Sequence, residues 1–310
     1  MSEPERLDAD LLRHTPLPDH PEDSDKEERG LALFIAGSRE LAGAALLAGI
    51  SALRAGAGKL RIATSESIAT GLSVAIPEAR VVAFTDNEEG CIHRDSIERL
   101  VRDCKGVSSL TVGPGMQHGE TLTELISAVL DSGGDYSLVL DAAALGVLPP
   151  LAERVRAWPG GAVLLPHAGE MARLLDRPRE AVEADPLGAA REAAARLDAV
   201  VAMKGSTTWV VAPTGEVARS AHGHVGLATS GSGDTLAGIV GGLLARGAEP
   251  FVATCWAVWL HAEAGHRMSA RRGPLGFLAR ELLAEVPGIM ADVARREERD
   301  DRRAPPTMLA

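Results

Sequence analysis

The run Gly231-Ser232-Gly233-Asp234 places an acid directly after small residues, where a long apolar helical pattern begins. Glycines let a backbone approach an anion closely, and a helix start offers free N–H groups at the positive end of its dipole. An acid there repels phosphate, so a pure phosphate cradle would avoid it. The arrangement suits a reaction in which a carboxylate takes a proton from a hydroxyl while phosphate is held alongside. Asp234 is then the candidate general base, kept ionised by the helix start and so weak but always available. Gly231, Ser232 and Gly233 form the candidate anion hole, with Thr229 able to add a hydroxyl. A plain helix start explains the same residues, with Ser232 as the cap and Asp234 as an acid favoured by the dipole.

Other polar and glycine signals fall at the ends of short apolar runs: Ala36-Gly37-Ser38, Gly113-Pro114-Gly115, Asp141, Pro166-His167-Ala168-Gly169-Glu170 and Lys204-Gly205-Ser206-Thr207-Thr208. Ligands of open parallel sheets bind outside the carboxyl ends of the strands, so five such ends point to one cleft. Lys204 can pair with phosphate oxygens, or it is a surface lysine in a strand–turn–strand. His167 can hydrogen-bond a substrate, or it caps the helix that Glu170 enters. Small residues at Gly115 and Ala45 admit either a ligand or tight helix-on-sheet packing.

The elements that must position these residues read as follows. Apolar runs at 31–37, 59–64, 80–84, 109–113, 137–141 and 162–166 suit buried strands, and helical periodicity fills 43–56, 94–102, 120–131 and 151–158. This β-α alternation predicts parallel strands with helices on both faces. Runs at 200–204, 207–213 and 216–221, separated by Gly205-Ser206 and Pro213-Thr214-Gly215, predict hairpins, and three helices are expected over 234–246, 250–269 and 276–295. The fold class is therefore α/β, three layers around one mostly parallel central sheet. Residues 1–29 form an acidic, Pro-rich tail that packs loosely or not at all, 30–293 the folded domain, and 294–310 a charged tail.

With 45% hydrophobic and 24% charged residues, the 310-residue chain suits a globular enzyme, and with only 3% aromatics its core must be built from Ala, Leu, Val and Gly. The net charge of −11, more than half of it in the first 29 residues, and the lack of a basic stripe argue against a nucleic-acid partner. No apolar run nears the ~20 residues of a membrane span. Together with three scattered cysteines, Cys91, Cys104 and Cys255, and no visible signal peptide, this predicts a soluble cytoplasmic protein. His222, His224, His261 and His266 form no recognisable metal motif, since His261 and His266 are off the i, i+4 spacing. Trp256 and Trp259 read as core. Helices rich in Ala and Leu predict a homo-oligomer.

The ordered set Ile35–Ser38 (IAGS), Gly43–Ala48 (GAALLA), Leu53–Lys59 (LRAGAGK), Pro77-Glu78, Val112–Met116 (VGPGM), Leu140–Ala142, Pro166–Glu170 (PHAGE), Lys204-Gly205 and Gly231–Gly238 (GSGDTLAG) resembles the ADP/ATP-dependent NAD(P)H-hydrate dehydratases, enzymes of ribokinase-like fold. The likeness spans about residues 25–290. It implies phosphoryl transfer from ADP or ATP, with Mg²⁺ arriving on the nucleotide, to the hydroxyl of a hydrated nicotinamide ring. Loss of phosphate then restores NADH or NADPH. It also implies that Lys204, Gly205, Ser206, Thr207, Thr208 and Gly233 contact the adenine nucleotide. Ala45, Gly115, His167 and Asp234 would contact the hydrate, and Glu170 would stand near magnesium-bound water. The chain departs from the family pattern at Ser230, where Gly is common, at Ser220–His224, where Asn is frequent upstream, and at Asp141-Ala142-Ala143-Ala144-Leu145, which lacks a second acid. The alternatives are a ribokinase-like kinase of a vitamin-precursor alcohol and a non-catalytic nucleotide-binding regulator.

Overall fold

The computed structural model describes residues 4–21 and 24–301. After β1 (Glu5–Arg6) and α1 (Ala9–His14), the chain alternates through β2 (Leu31–Ile35), α2 (Ala42–Arg54), β3 (Lys59–Ser65), α3 (Glu66–Ala75) and β4 (Ala79–Phe84). It continues with α4 (Ile97–Asp103), β5 (Ser109–Val112), α5 (Glu120–Ser132), β6 (Ser137–Leu140), α6 (Ala152–Arg156), β7 (Ala162–Leu164) and α7 (Ala168–Leu175). Helices α8 (Arg179–Ala184) and α9 (Pro186–Leu197) lead to β8 (Ala199–Met203), β9 (Thr208–Val211) and β10 (Val217–Ser220). Four helices close the chain: α10 (Ser232–Ala245), α11 (Pro250–Arg272), α12 (Ala279–Leu282) and α13 (Val286–Asp301).

The ten strands form one sheet in the order β1-β10-β9-β8-β7-β6-β5-β2-β3-β4, parallel from β8 to β4, with β9 antiparallel to both its neighbours. Side-chain alternation makes the three layers. Leu33 and Ile35 of β2 join the core under α5, α6, α7 and α9, whereas Ala32 and Phe34 face α2 and the start of the α10 layer. Strands β5 and β8 are buried at every position, as expected when helices cover both faces.

Helix α10 lies backbone-close on α2. A Cβ at Gly238 would collide with the carbonyl of Ala48, and one at Gly242 with that of Ala52. The pair, one helical turn apart, leaves a flat stripe that sets the close spacing of α10 from α2. Ser109 Oγ donates to the carbonyl of Gly241 at 2.7 Å and ties β5 to the same helix.

Two expectations are corrected. The N-terminal segment does not pack loosely: β1 pairs with β10, and Leu7 and Leu12 are buried. Asp8 caps α1, and Trp256 Nε1 donates to the carbonyl of Thr15 at 2.8 Å. A few leucines with helical spacing outweigh the acidic composition around them. The stretch 276–295 is not one helix but α12 and then α13, because Pro287 lacks an N–H and is accommodated only in a first helical turn. Helix α13 reaches Asp301; the tail expected from 294 onward otherwise lies outside the described residues. No helix among the described residues is long and apolar enough to cross a membrane.

Candidate active site

Helix α10 begins without a side-chain cap. Gly231 occupies the capping position at φ +86°, a conformation that a side chain disfavours, and a Cβ there would also run into Leu47. Ser232, expected as the cap, is instead the first helical residue. Its amide bonds to the Thr229 carbonyl at 3.3 Å, and its hydroxyl lies 2.9 Å from His261 Nε2 on α11. The next two amides, of Gly233 and Asp234, have no acceptor within the helix by position and remain available to an anion.

Asp234 sits third in α10, and its charge state differs from the expectation. Burial, then the negative charge of Asp141, push its pKa up from 3.8 to about 6, against the opposing pull of Lys204. The helix-start dipole does not keep it a fully ionised, weak base; burial makes it a stronger base, poised near neutrality.

Lys204, at the end of β8, is enclosed rather than superficial. Its Nζ donates to Asp141 Oδ1 at 2.9 Å and lies 3.8 Å from Glu170 Oε2. Burial opposes its charge, but Asp141, Glu170 and Asp234 outweigh that and hold its pKa above the ordinary lysine value. A Cβ on Gly233 would approach this same Nζ at 3.7 Å, so the ammonium lies beneath the glycine loop. The strand ends meet here by backbone: Lys204 N donates to the Pro166 carbonyl at 2.8 Å. Gly205 and Ser206 are exposed, and Thr207 and Thr208 half-buried, on the turn that follows.

Pro166–Glu170 forms a reciprocal cap on α7. His167 Nδ1 accepts from the amides of Gly169 (3.0 Å) and Glu170 (3.2 Å), while Glu170 Oε2 accepts from the His167 amide at 2.9 Å. Because Nδ1 is the acceptor, a neutral His167 carries its proton on Nε2. That side chain is 56% exposed and can donate to a ligand. Capping uses Nδ1 and leaves Nε2, 3.4 Å from Glu170 Oε1, on the exposed side of the ring.

The small residues near α2 are explained by packing. Ala45 is fully buried and faces Gly37; Gly43, two residues earlier, is the exposed position on that turn. The Ala45 methyl thus serves helix-on-sheet packing, one of the two roles its small size allows. Gly113 takes φ +124° because any Cβ would strike the Asp141 carbonyl, and buried Gly115 sits against Leu41 and Ala44. The V-G-P-G-M turn thus lets the ends of β5 and β6 and the start of α2 converge, while the end of β6 carries Asp141 to Lys204.

With the geometry in place, the comparisons are direct. A family model described as NAD(P)H-hydrate dehydratase matches residues 32–288. The chain belongs to the NAD(P)H-hydrate dehydratase family. An ADP-dependent (S)-NAD(P)H-hydrate dehydratase of Xanthomonas campestris is 43% identical over 93% of this chain and 96% of its own length. The crystal structure of the ADP/ATP-dependent NAD(P)H-hydrate dehydratase of Bacillus subtilis, co-crystallised with ATP/Mg²⁺, superposes with a TM-score of 0.81 at 29% identity, covering 94% of this chain and all of that one. A ribokinase-like superfamily protein of Enterococcus faecalis superposes at TM-score 0.79 with 25% identity, over 93% and 96% of the two chains. The fold of this dehydratase-family chain is ribokinase-like.

Two participants have no local sequence signal for their partners. Asp141, a strand-end acid, is 2% exposed and pairs with Lys204. His261, which fits no metal motif, lies 2.9 Å from the Ser232 hydroxyl. The signal for Asp141 was present in its strand-end position; the role of His261 depends on how α11 packs beside α10. The other histidines gather elsewhere. His222 stacks on His266 (4.0 Å between ring centroids) and on Trp259, with its Nε2 2.9 Å from Glu263. Among the described residues no cluster of His, Cys, Asp and Glu is arranged to hold a metal ion.

Proposed function

We propose that this chain catalyses the ADP- or ATP-dependent dehydration of (S)-NAD(P)H hydrate, regenerating NADH or NADPH in nicotinamide nucleotide repair. The observation that carries the reading is Asp234, a base with pKa about 6, at the anion-binding start of α10 and over Lys204. The hydroxyl of the hydrated ring attacks the terminal phosphorus of the nucleotide while Asp234 takes its proton, and AMP or ADP departs. The phosphate ester then leaves as inorganic phosphate with the C–O electron pair, and loss of a ring proton restores the double bond. The Gly233 and Asp234 amides meet the negative charge on the transferring group. His167 Nε2 and the turn around Gly43 and Gly115 border the hydrate, and the turn Lys204–Thr208 borders the nucleotide.

The residues fit a magnesium–nucleotide. Asp141, Glu170 and Asp234 offer three carboxylates against the single ammonium of Lys204, so a bare polyphosphate is repelled and a divalent cation on it restores balance. When bound, Mg²⁺ would supply charge neutralisation on the phosphoryl oxygens, and Glu170 is the carboxylate that would help hold it through water. The reading further assigns residues 30–293 as the catalytic domain, a cytoplasmic location that suits the three free cysteines, and a homo-oligomer, which sedimentation tests.

Incubation of the protein with hydrated NADH, ADP or ATP and Mg²⁺ should recover nicotinamide absorbance, and omission of nucleotide or Mg²⁺ should abolish it. Recovery without nucleotide refutes the mechanism. Phosphorylation of a thiazole or pyrimidine alcohol with no action on the hydrate assigns the site to a vitamin-precursor kinase, and nucleotide binding with no turnover assigns it to a regulator.

A further inference from the structure

We propose that His261 is a positioning residue for phosphoryl transfer: through Ser232 it holds the uncapped start of α10 in its anion-binding shape. The inference rests on the phosphoryl-transfer reading given above.

A helix normally fixes its first turn with a capping side chain. Here the cap position is Gly231, which has none, so the loop gains room for an anion and loses its usual restraint. Glycine-rich backbone carries a large entropy cost of ordering, and some other contact must hold it. Four hydrogen bonds are in place. Ser232 N donates to Thr229 O at 3.3 Å, and both the amide and Oγ1 of Thr235 donate to Gly231 O at 3.1 Å; all three are local. The fourth, between Ser232 Oγ and His261 Nε2 at 2.9 Å, joins the loop to a different helix.

That helix is a firm base. Leu260, Ala262 and Ala264, flanking His261 on α11, are all at most 4% exposed, and Ser232 itself is 5% exposed. Burial depresses the His261 pKa to about 4, with nearby Lys204 acting in the same direction. The imidazole therefore stays neutral at working pH and acts through its hydrogen bond, adding no cation to a site where Lys204 already provides one. Holding Ser232 in place aims the Gly233 and Asp234 amides and sets the Asp234 side chain, the groups used in the transition state.

The test compares His261→Leu, His261→Gln, Ser232→Ala and the Ser232→Ala/His261→Leu double variant, each checked for folding by circular dichroism. His261→Leu should lower kcat about 10–100-fold, less than the loss for deleting an oxyanion donor outright, while nucleotide affinity by calorimetry changes less than about threefold. Ser232→Ala should cost the same, and the double variant no more than either single one, because both remove one contact. His261→Gln, whose amide reaches the Nε2 position, should recover most of the loss. Backbone amide exchange at Ser232 and Thr235, whose N–H groups bond to the Thr229 and Gly231 carbonyls, should quicken about tenfold or more in His261→Leu in the free protein and return toward wild type in His261→Gln. Unchanged exchange, an unaffected kcat, or losses that multiply in the double variant each overturn the inference. Inactivity of the wild-type protein on the hydrate defeats the functional reading instead, and the exchange measurement still decides whether His261 holds the loop.

Discussion

Asp234→Asn should remove activity and make the protein more stable, and the gain should depend on pH in a direction set by the site. The folded-state pKa of Asp234 is about 6 against an ordinary 3.8, raised by burial first and by Asp141 second. A carboxyl whose pKa is raised on folding favours the folded state only while it is protonated. Its contribution is present below the unfolded value near 3.8 and is lost as pH rises through about 6. Above that, the charged form costs the fold up to about 3 kcal/mol, since each pKa unit corresponds to about 1.36 kcal/mol. Residual contact with water makes this a ceiling. Asparagine keeps the shape and carries no charge, so the cost disappears. At roughly 2–4 °C per kcal/mol for a chain of this size, Tm should rise about 5–10 °C at pH 8, less at pH 5, and hardly at all at pH 4. Turnover should fall by the 10²–10⁴-fold typical for losing a general base. Calorimetric melts of the two proteins across pH 4–8, with turnover at pH 8, decide the matter. A helix-start acid that merely favours the dipole predicts a small loss of stability with activity intact. A Tm that drops, or a difference independent of pH, would refute the electrostatic account of the site.

In wild-type enzyme, kcat at saturating Mg²⁺–nucleotide should rise with pH through about 6, because the base must be ionised; at pH 5 it should be roughly tenfold below its plateau. A profile flat between pH 5 and 8 removes Asp234 from the rate-determining proton transfer. Lys204→Met should move the midpoint above 6, since Lys204 is the charge that lowers the Asp234 pKa. It should also cost stability, on the scale of about 3–5 kcal/mol for breaking a buried pair, because Asp141 and Glu170 lose their cation. Urea melts and the pH profile of this variant check both parts, and an unmoved midpoint would show that the two groups are not coupled.

The layers and strand ends were legible because buried parallel strands are continuous apolar runs and helices repeat near 3.6 residues. That is why 31–37, 59–64 and 109–113 match β2, β3 and β5 within a few residues. What escaped depends on tertiary partners. The docking of Leu7 and Leu12 is carried by a few side chains in a segment whose overall acidity suggests the opposite. The local rule names Ser232 as the cap, but α11 presents His261 to that hydroxyl and Gly231 takes the cap position. The ionisation of Asp234 is set by its burial and then by Asp141 and Lys204, which are distant in sequence and meet it only in the folded sheet.

The missing second acid after Asp141 has a physical consequence of its own. In D-A-D-A-L that acid would occupy the position of Ala143, which is 5% exposed here. A carboxylate buried there would need a cation, and the cation within this cluster is Lys204, already shared by Asp141 and Glu170. With alanine at 143, Asp141 keeps its 2.9 Å bond to Lys204 while still repelling a proton-free Asp234. One buried acid thus anchors the lysine under the glycine loop and raises the basicity of the residue above it. Asp141→Asn should therefore lower the Asp234 pKa and free Lys204 together, shifting the activity profile toward acid, the reverse of the shift expected for Lys204→Met. Shifts in the same direction from the two variants would show that the Asp141–Lys204 pair does not control the base.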